Sequence, residues 1–141
     1  MKNKLIILSG GFDPVHKGHI RMFKAASKLG EVIIGLNSDN WLLRKKNKYF
    51  MSFHERTEIL ESIKYISKVI PFNDFDDTAI NLIKDVINLY SNTSKIFFGN
   101  GGDRTVTTTP ELDYCKGNNI EMLWNLGGDK IQSSSDLWKK W

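Results

Sequence analysis

Cysteine is almost missing from this sequence: Cys115 stands alone, so no internal disulfide can form and no cluster of thiolates can hold a metal. That suits a reducing compartment and leaves Cys115 as a structural residue. Proline is scarce too, with three against eleven glycines, and no repeat, linker or low-complexity stretch interrupts the chain, which argues against fibrous and disordered classes. The chain should fold. Long hydrophobic runs are absent: none approaches the roughly 18 residues of a membrane span, and the opening Met-Lys-Asn-Lys-Leu-Ile-Ile-Leu is broken by glycine too soon for a secretory segment. A cytoplasmic protein is expected. What is present is an ordinary globular composition, 40% hydrophobic and 26% charged over 141 residues, enough for one sizeable core and a single domain spanning 1–141. The net charge of +4 is modest, but four cations fall within Arg44-Lys45-Lys46-Asn47-Lys48. Such a cluster suggests an anionic partner.

Leu5-Ile6-Ile7-Leu8 is a short, wholly apolar run ending at Ser9-Gly10-Gly11, as expected of a strand buried on both faces of a parallel sheet. From Gly18 to Leu29 the apolar residues Met22, Phe23, Ala26 and Leu29 recur at helical spacing, with Gly30 placed for a left-handed cap. A second strand, Val32–Leu36, completes a βαβ unit. Ser52-Phe53-His54-Glu55 has the pattern of a capping box and predicts a helix to about Tyr65, followed by a strand at Lys68–Pro71 and a helix over Thr78–Tyr90. A fourth strand, Lys95–Phe98, a helix capped by Thr109 and stopped by Gly117, a fifth strand, Ile120–Trp124, and a short terminal helix finish the chain. The expected fold is α/β, a Rossmann-like doubly wound parallel sheet of five strands. Ligands of such sheets bind beyond the carboxyl ends of the strands.

The loop after the first strand, Gly10-Gly11-Phe12-Asp13-Pro14-Val15-His16-Lys17-Gly18-His19, is the most informative stretch. Glycines let a backbone approach phosphate closely, a helix amino-terminus offers unpaired amides and partial positive charge, and imidazoles there can donate to phosphate oxygens. The rival readings are two helix-start histidines without a ligand, or a metal pair that lacks a third ligand nearby. The lysines at 45, 46 and 48 read as a loop between a strand and a helix, which on composition alone is a solvated surface. Arg56 is an odd choice near a helix start, where acids are preferred, so an anionic ligand or a salt bridge to Glu55 or Glu58 would explain it.

The glycine-histidine loop resembles the G-x-F-D-x-x-H-x-G-H signature of the cytidylyltransferase-like nucleotidyltransferases. Asn37-Ser38-Asp39, the lysine-rich stretch and Ser52-Phe53-His54-Glu55-Arg56 are similar in order and spacing to the glycerol-phosphate branch of that family. The resemblance implies that His16 and His19 contact the triphosphate and stabilise the transferring phosphoryl group, together with Lys45 and Arg56. It also implies nucleotide contacts at Gly10, Gly11, Phe12, Asp13 and Lys48, and acceptor contacts at Asp39 and Lys46. Gly101-Gly102-Asp103-Arg104 is similar to the segment that lines the nucleotide and acceptor pocket in related cytidylyl- and heptose-phosphate adenylyltransferases, which puts Gly101, Asp103 and Arg104 there. Ile131-Gln132-Ser133-Ser134-Ser135 resembles the family's hydroxyl-bearing triphosphate segment. The arginine that precedes that segment in the family is replaced by Gly127-Gly128-Asp129-Lys130, with Lys130 a point-charge substitute lacking the bidentate fork.

The implied reaction is in-line attack by a phosphate oxygen of the acceptor on the α-phosphorus of CTP or ATP. Pyrophosphate leaves, and Mg2+ accompanies the triphosphate. CMP transfer is preferred to the adenylyl alternative on a sugar phosphate, and a homodimer is expected from the resemblance. A nucleic-acid-binding module is the rival of another class, disfavoured because Trp41, Trp124, Trp138 and Trp141 are dispersed and no stripe of cations interleaves with aromatics. A fragment of a class I aminoacyl-tRNA synthetase, with a similar histidine corner, fits less well.

Overall fold

The computed structural model describes residues 3–90, 92, 94–101 and 109–128. Its elements in chain order are β1 (Asn3–Gly10), α1 (Lys17–Ser27), β2 (Glu31–Leu36), α2 (Asp39–Lys46), α3 (Phe53–Glu61), β3 (Lys68–Pro71), α4 (Ile80–Tyr90), β4 (Ser94–Gly99), α5 (Leu112–Gly117) and β5 (Glu121–Leu123). The five strands form one sheet in the order β3-β2-β1-β4-β5, and every pairing is parallel. This is the expected α/β sheet.

Alternation along β1 divides the core into two layers. Leu5 and Ile7 face Leu82, Ile83 and Val86 of α4 and Cys115 of α5. Ile6 and Leu8 face Phe23 and Ala26 of α1 and Leu60 of α3. Helices therefore cover both faces, which is why β1 can be apolar at consecutive positions. The chain winds outward from β1 through β2 to β3, then returns to the other side of β1 for β4 and β5. The change of direction lies between β1 and β4, and the loops leaving those two strands flank the crevice where such sheets take ligands.

Several local expectations are corrected. The lysine stretch is not a loop: Lys45 and Lys46 end α2, a helix capped by Ser38 and closed by Asn47 at φ 63°. The apolar pattern hid this helix because only its Leu42 is buried. Gly30 is not a left-handed cap. The helix closes at Lys28 in the right-handed region, and a side chain at 30 would collide with the Lys4 carbonyl of β1. Helix α5 begins after Glu111, which makes no side-chain cap bond, Thr109 gives its backbone carbonyl to Leu112, and the helix ends at Gly117 as expected. The expected terminal helix lies outside the described residues.

Candidate active site

His16 is the N-cap of α1. Its Nδ1 accepts from the Gly18 amide at 3.1 Å, while Nδ1 of His19 accepts from the His16 amide at 3.3 Å. Histidines thus fill both places of a capping box that serine and glutamate usually occupy. A backbone amide can only donate, so each neutral ring carries its proton on Nε2. The rings stack with centroids 3.8 Å apart and 19° between planes. Both rings therefore carry Nε2–H, at the positive end of a helix whose first turn holds no acid.

Phe12 supports this pair from below. It adopts φ 49°, turns its ring back over Gly10, and packs edge-on against His19 at 4.8 Å and against Phe23 at 5.3 Å. Its side chain belongs to the core. Asp13 is 1% exposed, and its carboxylate accepts from the amides of Phe50 and Met51 at 2.6 and 2.8 Å. It fastens the segment after Lys48 to the histidine loop.

Arg56 is the largest fully buried side chain of the described residues. Its guanidinium donates to the carbonyls of Met51, Gly11 and Asn37 at 3.0, 2.9 and 2.8 Å and to Asp39 Oδ1 at 2.7 Å. It joins three loops from below, a task for which a planar fork of donors is suited. Glu55 and Glu58 are not its partners among these bonds. Asp39, expected at the acceptor, is its ion-pair partner and keeps a part-exposed side chain at the start of α2.

Gly11 lies against Leu42 and Trp41, so α2 abuts the glycine loop directly. Lys45 is exposed and lies over the Trp41 ring at 5.7 Å. Lys46 is half-buried at the end of α2, and Lys48 is exposed two residues beyond. Contacts from Asp13, Arg56 and Gly11 thus tie α2 and the segment after it to the histidine loop. Across the crevice, Gly101 follows Asn100, a residue 2% exposed whose side-chain amide donates to the Leu123 carbonyl while its oxygen is buried without a partner among the described residues. Asp103, Arg104, Lys130, Ser133, Ser134 and Ser135 lie outside the described residues. Just before the last of these, Gly127 at φ 81° brings its backbone against Met22 of α1, where any side chain would meet the Met22 nitrogen at 2.7 Å. Asn100 and Asp74, whose carboxylate holds the start of α2, carry no sequence pattern that marks them.

A glycine loop and helix start beside a patch of cations, set at the change of winding direction of a parallel sheet, define an α/β nucleotide-binding protein of the Rossmann-like class. The chain belongs to the cytidylyltransferase-like family, whose model matches residues 7–141. Glycerol-3-phosphate cytidylyltransferase of Bacillus subtilis (strain 168) is 32% identical over 88 residues, covering 62% of this chain and 68% of the relative. A probable nicotinate-nucleotide adenylyltransferase of Pelagibacter ubique is 32% identical over 114 residues, covering 74% of this chain and 60% of the relative. A lipopolysaccharide core biosynthesis protein of Thermoplasma volcanium shares the fold, with a TM-score of 0.66, 20% identity, and coverage of 87% of this chain and 96% of that one. The chemistry that this membership gives the chain is nucleotidyl transfer.

Proposed function

We propose that the protein transfers CMP from CTP to a phosphorylated small molecule of the glycerol 3-phosphate type and releases pyrophosphate. The observation that carries this reading is the stacked pair His16 and His19, whose cap bonds leave Nε2–H as the donor of each ring. These donors act on the α- and β-phosphate oxygens as charge shifts to the leaving pyrophosphate. Lys45 and Lys48 neutralise the triphosphate, and Gly10 and Gly11 let the backbone approach it. Lys46 and the outer oxygen of Asp39 lie toward the acceptor. Asp103, Arg104, Lys130 and Ser133 to Ser135 are assigned to the nucleotide side by their place in the sequence. An acceptor phosphate is already anionic at neutral pH, so the chain's task is alignment and charge compensation rather than proton abstraction.

No group of three or more metal-ligating side chains occurs among the described residues, and Asp13 and Asp39 are already engaged. Magnesium keeps several waters and needs few protein ligands, so this donor set fits an ion held chiefly by the triphosphate oxygens. When bound, it would supply charge neutralisation. A homodimer belongs to the same reading. Transfer of AMP is the second reading, favoured by the adenylyltransferase relative that matches a longer part of this chain. Pyrophosphate release measured across CTP, ATP, GTP and UTP with a panel of phosphorylated acceptors separates the two. Turnover greatest with CTP and glycerol 3-phosphate is expected; turnover confined to ATP would replace the first reading by the second.

A further inference from the structure

We propose that Asp74, in the loop after β3, is a positioning residue for the transfer reaction, fixing α2 and the groups it carries against the histidine loop. This rests on the nucleotidyl-transfer reading of the site. The carboxylate is 5% exposed. Its Oδ2 accepts from Asn37 Nδ2 at 3.1 Å and from the Ser38 amide at 2.7 Å, and its Oδ1 accepts from Ser38 Oγ at 2.9 Å. Ser38 Oγ in turn accepts from the Trp41 amide at 3.1 Å, which is the N-cap of α2.

Asn37 transmits the constraint. Its amide donates to the Gly10 carbonyl at 3.0 Å, its own carbonyl accepts from Arg56 at 2.8 Å, and its side chain is held by Asp74. One continuous buried chain of polar contacts therefore runs from Asp74 through Asn37 to Gly10 and Arg56. The same loop holds the other end of α2, because Arg44 donates to the Asp74 carbonyl at 2.8 Å and to Asp77 Oδ1 at 2.9 Å. Helix α2 buries only Leu42, so core packing alone does little to fix its position. Polar contacts do that instead, and the helix carries Asp39, Lys45 and Lys46.

The test compares the parent with Asp74→Ala and Asp74→Asn, using pyrophosphate release from CTP with magnesium and glycerol 3-phosphate, or from the best pair found for the parent. An asparagine can place its carbonyl oxygen where Oδ2 accepts two N–H groups and donate its amide to Ser38 Oγ, so it preserves the arrangement. Asp74→Ala is expected to lower kcat/KM at least about tenfold, mostly through the KM for the triphosphate, while Asp74→Asn stays within about threefold. Kinetic constants within twofold of the parent in Asp74→Ala, or equal impairment of both variants, would overturn the proposal. Should the alanine variant not fold, Ser38→Ala removes one of the three bonds and is expected to raise that KM about threefold; an unchanged KM overturns it. If the parent itself shows no turnover, the proposed function fails and positioning is judged by amide exchange alone. Faster exchange at Ser38 and Trp41 in Asp74→Ala, with Val86 of α4 unchanged and protection kept in Asp74→Asn, supports it; unaltered exchange at Ser38 and Trp41 contradicts it.

Discussion

His16 and His19 each cap α1 through Nδ1, and in the proposed reaction each has a second task, donating through Nε2–H. The tasks are separable by substitution. Asparagine is among the best N-caps, so His16→Asn should keep most of the stability that His16→Ala loses, on the order of 1 kcal/mol. Both should lower turnover at least about a hundredfold, the scale for removing a transition-state donor. Urea unfolding and pyrophosphate release check the pair, and near-parental turnover in His16→Asn would remove His16 from the chemistry. Arg56→Ala leaves three carbonyls and the Asp39 carboxylate without their buried partner, for which a loss of about 3–5 kcal/mol is expected in the same unfolding measurement. A loss below 1 kcal/mol would show that the loops hold together without it.

Cys115 offers a different residue-level test. Burial, with the nearby Glu111 charge adding to it, raises its thiol from an ordinary value of 9.0 to about 11. The folded protein keeps this proton to higher pH than the unfolded chain does. Its contribution to stability is present below about pH 9 and is lost as pH rises towards 11. The parent should therefore lose stability across that window relative to Cys115→Ala, on the order of 2 kcal/mol from a shift of this size. Parallel pH profiles would show that the thiol titrates alike in both states.

At the scale of elements, what could be read from the sequence depended on how much apolar surface each element buries. Helices α1 and α4 repeat buried residues on one face, and their periodicity marked them. Helix α2 does not, and was legible only in its ends: Ser38 as cap, Asp39 in the first turn, and basic residues in the last. The histidine loop was legible as a glycine-rich entry into α1 because its residue types and spacing are local. The buried bonds of Arg56 and Asp13 were not legible, for the opposite reason. Apart from Met51, five residues from Arg56, their partners lie 17 to 45 residues away in the case of Arg56 and 37 to 38 in the case of Asp13, and only the folded sheet brings them together. The end of α2 carries its own prediction, because Lys45 and Lys48 are exposed and their attraction for phosphate is screened by salt. Triphosphate affinity measured by calorimetry should fall as salt rises, with a shallower slope in Lys45→Ala. An identical slope in parent and variant would place Lys45 away from the phosphates.

Across the whole molecule, the parallel sheet sets two loops from different halves of the chain on either side of one crevice. The histidine pair and the α2 cations lie on the β1 and β2 side, while Asn100 and Gly101 close it from β4. No helix among the described residues is long and apolar enough to cross a membrane. Under the proposed function, a site of donors and cations aligns two anions and absorbs the charge that develops between them. Which phosphorus is attacked is the central point, and isotope placement decides it. CTP labelled with 32P at either the α or the γ position, incubated with magnesium and glycerol 3-phosphate, should give α-label in the acceptor product and γ-label only in pyrophosphate. Label from the γ position on the acceptor, or α-label remaining in a nucleoside diphosphate, would contradict nucleotidyl transfer.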